Sequence, residues 1–222
     1  MIRVLVVEDS PTVRHRLIDV LTSDPDIVVV GEAHDGKQAI ERCLELRPDV
    51  ITMDMMLPVM TGLAATEYIM AYRPTPILIV SSSTNRGELF RTYEALAAGA
   101  VDVLEKPGGD EPDDLWEKRF LSTVKLVSRI RVITHLRART STRPPSQLQP
   151  TASPEVVRRD RPYGVVGIGA STGGPGAIVE VLSPLSAEFT LPVLLVLHIG
   201  EPFGKSFADW LQGQIGRPVA YA

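Results

Sequence analysis

Short, largely apolar runs, rich in β-branched side chains, recur along the first 110 residues. They fall at 4–7, 27–30, 50–53, 77–80 and 101–104. A strand that is apolar on nearly every residue is buried on both faces, which is the signature of a parallel sheet sandwiched by helices. The intervening segments are long enough to be those helices. In 11–22, Ser10 is a candidate cap with Pro11 in the first helical position, and Val13, Leu17, Val20 and Leu21 fall on one face. Residues 35–46 predict a helix with Ala39, Ile40, Cys43 and Leu44 inward. Further helices are predicted over 61–72, 88–98 and 113–136, the last with Trp116, Phe120, Val124, Val127 and Ile130 at helical spacing. Five βα units make a first domain of residues 1–110, its last helix running on to about 136.

The chain then changes character. Residues 137–162 are rich in Arg, Pro, Ser and Thr without periodicity and read as an extended linker. Order resumes in 163–222. A strand over 165–168 leads into the tight turn 169–174 and a helix reaching Leu182. A second strand, 193–197, ends at His198, and 207–211 reads as helical. The formal charge of -4 gives no reason to expect a nucleic-acid partner. Met1 leads directly into a strand, and the run 193–197 is far shorter than the roughly 20 residues that cross a bilayer. The single cysteine, Cys43, has no internal disulfide partner. These features create the expectation of a cytoplasmic protein without membrane insertion.

In an open parallel sheet, ligands bind at the carboxyl ends of the strands. The first predicted strand ends in Glu8 and Asp9, the third in Asp54, the fourth in Ser81 and the fifth in Lys106. Each acid alone reads equally well as a cap or loop residue. Three carboxylates on one edge repel one another and call for a cation, and oxygen ligands with room for water suit Mg²⁺. A carboxylate beside Mg²⁺ can attack a phosphoryl group, which Lys106 can then pair and Ser81 can hydrogen-bond.

The segments 6–10 (Val-Val-Glu-Asp-Ser) and 53–58 (Met-Asp-Met-Met-Leu-Pro), with Gly62 and Lys106-Pro107, resemble the motifs of response-regulator receiver domains across the whole first domain. The resemblance implies a flavodoxin-like fold of five parallel strands and phosphorylation of Asp54 by a histidine kinase. It also implies Mg²⁺ held by Asp9 and Asp54, by Glu8 through water and by the Met56 carbonyl, and a cis Lys106–Pro107 peptide. Receivers often carry an aromatic residue three positions before the lysine; Val103 stands there instead.

Residues 169–173 (Gly-Ala-Ser-Thr-Gly) fit G-x-S-x-G between a strand and a helix, a turn that lifts Ser171 onto the sheet edge. Backbone N–H groups at the helix start suit an oxyanion. Glycine-rich turns of this kind also bind phosphates, and Gly167 with Gly169 could open a dinucleotide site. That site wants a third Gly or Ala where Thr172 stands, and an acid where His198 stands. A histidine at the end of the next strand is instead the partner an activated serine requires.

The stretch 165–174, with Leu197-His-Ile199, Phe203 and 205–207, is similar to the start of the catalytic domain of chemotaxis protein-glutamate methylesterases. Receiver, linker and this domain follow in that family's order. The resemblance implies a doubly wound α/β serine hydrolase with Ser171 as nucleophile and His198 as base. Its substrates would be methylated glutamates, and certain glutamines, of chemoreceptors. The family's third catalytic residue, an Asp, lies farther downstream than Ala222, and Asp209 matches no such position. The resemblance thus covers a complete receiver and the opening part of the hydrolase. A rival expectation follows, of a non-catalytic phospho-switch whose second segment only binds a partner.

Overall fold

The computed structural model describes residues 1–82, 86–106, 113–132, 164–171, 173–186, 188–197 and 201–222. The expected linker 137–162, His198 and Pro107, with its expected cis peptide, lie outside the described residues.

The first domain runs β1 (Ile2–Val7), α1 (Pro11–Thr22), β2 (Ile27–Ala33), α2 (Gly36–Leu46), β3 (Val50–Met53), α3 (Gly62–Tyr72), β4 (Ile77–Ser81), α4 (Arg86–Ala97), β5 (Asp102–Glu105) and α5 (Asp113–Val127). The five strands form one sheet in the order β2-β1-β3-β4-β5, and every described pairing is parallel. Alternate residues of β1 enter different cores. Val4 and Val6 pack with Leu17, Val20, Leu21 and Phe120 on the α1–α5 side, whereas Leu5 and Val7 join Ala39, Cys43 and Ile69 on the other. Both faces are therefore closed, which is why the strands are continuously apolar.

Local chemistry sets the helix starts. The side chains of Asp35 and Thr61 accept from the N–H groups of Gln38 and Ala64 and cap α2 and α3. Ser10 occupies the N-cap position of α1 with Pro11 in the first turn, but its hydroxyl accepts no cap bond. Three expectations need correction. Leu44 is 46% exposed, because α2 is seated through Gly36, Ala39 and Cys43 and Leu44 lies past the edge of that stripe. α5 ends at Val127, not near 136. The N–H groups of Arg129 and Ile130 bond back three residues, to Leu126 and Val127, and tighten the helix to a stop. Ile130 and Val132 then pack on the core from beyond the helix. The final helix spans 201–215 instead of 207–211; burial of Phe203, Phe207, Trp210 and Leu211 along one side outweighs the glycines within it.

The second segment runs β6 (Val166–Ala170), α6 (Gly174–Leu182), β7 (Val193–Leu197) and α7 (Glu201–Ile215), with β6 and β7 paired in parallel. Leu194 and Val196 on the outer face of β7 are exposed. The inner residues Ile168, Leu195 and Leu197 pack on the same cluster that holds Leu96 and Tyr93 of α4. One apolar core thus continues from the first sheet through α4 into α6 and α7. Among the described residues, no helix is long and apolar enough to cross a membrane.

Candidate functional site

The sheet brings the strand-end residues to one edge. Lys106, just past β5, reaches back across the sheet. Its Nζ lies 3.0 Å from Asp54 Oδ2 and 2.8 Å from Glu8 Oε2. Glu8 and Asp54 are buried, and Asp9 is exposed at the rim. One carboxylate oxygen from each of the three acids lies within 4.8 Å of the others, a spacing a single cation can bridge. The buried Glu8 Oε2 has the Lys106 ion pair but no well-directed hydrogen bond, which leaves it lone-pair capacity toward such a cation.

The electrostatics follow from crowding. Burial pushes the Glu8 carboxyl above its usual range, and the Asp54 charge adds to this; Lys106 pulls it back in part. Burial disfavours the Lys106 charge, yet its bond to Glu8 and the Asp54 carboxylate outweigh that, so its pKa is raised. Lys106 therefore stays an ammonium, the form that can pair a phosphoryl group.

Backbone and neighbours hold the acids in place. The Met56 N–H donates to Asp54 Oδ1 at 3.3 Å, and the Ser10 N–H to Glu8 Oε1 at 3.2 Å. Gly62 lies so close that a Cβ there would sit 1.9 Å from the Asp54 carbonyl oxygen, so no other residue fits beside that strand end. Ser81 is buried at the end of β4. Two contributors gave no signal in the sequence pattern. Arg14 donates to the carbonyls of Glu8 and Asp9 at 2.9 and 3.3 Å and bonds Glu32 at 3.1 Å, bracing the β1–α1 loop. Arg91 of α4 rests on the Met56 sulfur at 3.3 Å.

In the second segment Ser171 follows β6 directly and is exposed. The Gly174 N–H donates to the Ser171 carbonyl at 2.7 Å and closes a turn. Gly173 takes φ 77° and ψ -4°, in the left-handed region that a residue with a Cβ adopts only under strain. Ala170 of β6 pairs with Leu197 of β7, so the strands that precede Ser171 and His198 end in register.

A doubly wound sheet of order 2-1-3-4-5 with an acid triad and a lysine at its carboxyl edge defines a receiver. The chain belongs to the response-regulator receiver family, whose description, response regulator receiver domain, matches residues 4–118. Residues 166–222 match the family described as CheB methylesterase, so the receiver is followed by the N-terminal part of that domain. The response-regulator domain of Thermotoga maritima CheB, a crystal structure, is 41% identical. It covers 59% of this chain and 98% of its own length, with a TM-score of 0.53. The signal receiver domain of NarL from Mycobacterium tuberculosis is 29% identical, covering 59% of this chain and 98% of its own, with a TM-score of 0.51. Two relatives called protein-glutamate methylesterase/protein-glutamine glutaminase match the full chain. That of Nitrosospira multiformis is 42% identical and that of Syntrophus aciditrophicus 43%. This chain spans 62% and 63% of their lengths.

Proposed function

We propose that this chain is the receiver and the nucleophile-bearing part of a phosphorylation-regulated protein-glutamate methylesterase and glutamine deamidase of chemotaxis. The observation that carries this reading is the convergence of Glu8, Asp9 and Asp54 within 4.8 Å, with Lys106 paired to Asp54, upstream of the exposed Ser171 turn. The donor set suits Mg²⁺, held by Asp9, Asp54 and the Met56 carbonyl, with Glu8 acting through water; it would neutralise charge on the transferring phosphoryl oxygens. Asp54 takes the phosphoryl group from a histidine kinase. Lys106 pairs it, and the Ser81 hydroxyl hydrogen-bonds it.

The substrate of the second segment is the methylated glutamate of a chemoreceptor. Ser171 Oγ attacks the ester carbonyl while His198 takes the hydroxyl proton. His198 returns that proton to the leaving methoxide, which departs as methanol. Water then hydrolyses the acyl-enzyme and leaves a glutamate carboxylate. Without the phosphoryl group the receiver stays packed on the serine-bearing segment through α4, and phosphorylation shifts the population toward an open arrangement.

The test combines phosphoryl uptake from a small phosphodonor with methanol release from a methylated receptor. Uptake is expected to require Mg²⁺ and to vanish in Asp54→Asn; uptake that survives in that variant overturns the switch assignment. Methanol release that persists in Ser171→Ala overturns the nucleophile. A protein that takes up phosphoryl but releases no methanol is the non-catalytic phospho-switch.

A further inference from the structure

The receiver does more than stand near the serine turn: its backbone is bonded to it. The Gly173 N–H, two residues after Ser171, donates to the Val101 carbonyl of the receiver at 2.8 Å. Val101 is itself anchored, since its N–H donates to the Ile77 carbonyl of β4 at 2.9 Å. Beside this bond, α6 approaches the end of α4 so closely that a Cβ on Gly176 would come 3.3 Å from the Leu96 carbonyl oxygen. A second bond lies further along α4. The buried Tyr93 hydroxyl donates to the Phe203 carbonyl of α7, and its ring packs against Phe207 and Trp210 at centroid distances of 5.4 and 5.3 Å. Burial pushes the Tyr93 phenol pKa up, so it remains a donor.

The bond that closes this turn comes from the Gly174 N–H, so the Gly173 N–H is not used within the turn. Here that donor is spent on the receiver. We propose that the Val101 carbonyl is a latch on the nucleophile turn, gripping the backbone at Gly173 and withholding from Ser171's surroundings an amide that an acyl oxyanion or a substrate carbonyl would otherwise use. The latch rests on the reading of Ser171 as nucleophile. It adds that control acts on the backbone of the turn itself, with Tyr93 holding the α7 side in the same grip. Gly176 is the position that lets α6 seat against the receiver.

Amide hydrogen exchange, followed residue by residue by NMR on the unphosphorylated 222-residue protein, tests the latch. The Gly173 amide is expected to be protected. Gly176→Val, which pushes α6 off the Leu96 carbonyl, is expected to speed its exchange by about tenfold or more, while the Val101 amide inside the receiver keeps its protection. Tyr93→Phe keeps the ring contacts, loses the bond to Phe203, and is expected to speed Gly173 by a smaller factor. A Gly173 amide that exchanges freely in the parent protein overturns the proposal. So does one that stays protected in Gly176→Val while Val101 is protected too. If Gly176→Val exposes Val101 as well, the receiver has opened, and Tyr93→Phe decides: an unchanged Gly173 rate there overturns the latch. These readouts use neither a phosphodonor nor ester turnover, so their failure is distinct from failure of the Asp54 or Ser171 assignments.

Discussion

The Lys106 ammonium stands 3.0 Å from the carboxylate of Asp54, so the residue proposed to accept the phosphoryl group is held by a cation from the far side of the sheet. The same ammonium neutralises the buried Glu8. Lys106→Met leaves two buried carboxylates facing each other. It is expected to destabilise the metal-free protein by about 2 kcal/mol, the cost of stranding a buried charge less what protonation recovers. Added Mg²⁺ is expected to restore more stability to the variant than to the parent, because the cation takes over the neutralising role. Thermal unfolding with and without Mg²⁺ checks both; equal gains would count against a metal at these acids.

Gly62 packs against the backbone at the end of β3. In Gly62→Ala the new methyl would meet the Asp54 carbonyl oxygen at 1.9 Å, and backbone cannot rotate aside. The expected cost is about 2–4 kcal/mol together with impaired phosphoryl uptake, because the displaced atom belongs to the phosphoacceptor itself. Gly31→Ala is the comparison. Its obstacle is the end of the Leu46 side chain at 2.4 Å, which can change rotamer, so denaturant unfolding is expected to show a smaller loss.

Val59 sits in the left-handed region at φ 63° and is 86% exposed. A β-branched residue is strained there and gains nothing from burial in return. Val59→Asn is expected to stabilise the protein by about 1 kcal/mol, read as a higher denaturant midpoint at unchanged slope.

Lys125 of α5 reaches the α1–β2 loop, 2.8 Å from Asp24 and 3.0 Å from Asp26. Its hydrogen bond holds the Asp24 carboxyl below the ordinary value of 3.8. A carboxyl depressed in the folded state contributes stability above its unfolded value, and that contribution is lost as pH falls through the folded one. Lys125→Met is expected to return Asp24 upward toward its ordinary value, and to remove this part of the acid-side stability loss. An NMR titration of the Asp24 carboxyl reads it directly; an unmoved Asp24 would mean the ion pair is solvated away.

Much of the fold was legible in the sequence because parallel strands are buried on both faces. The apolar runs around Val4, Val28, Ile51, Leu78 and Val103 all became strands, though β2 extends to Ala33. The starts of α2 and α3 fell within a residue of expectation, and the structure supplies the reason, since the Asp35 and Thr61 side chains cap them. Helix ends were less legible. Where α5 stops is decided by which carbonyls the N–H groups of Arg129 and Ile130 reach, and α7 is long because one side of it finds α4 to cover. Leu44 had the right spacing to be buried and lacked a partner.

The acidic edge was legible for a related reason. In a parallel sheet every strand delivers its next residues to the same rim, so Glu8, Asp9, Asp54, Ser81 and Lys106 were assembled by topology as soon as five parallel strands were granted. By itself, then, the sequence determined that a receiver-like sheet forms, and which residues meet at its edge. Only the tertiary structure decided that Lys106 closes on Asp54 and Glu8 together, that Arg14 braces the loop beneath them, and that Val101 and Tyr93 bind the serine-bearing segment. Periodicity reports which face of an element is buried, and a motif reports local backbone. Neither encodes which carbonyl of one unit meets which N–H of another, because that depends on the relative placement of packed surfaces distant in sequence.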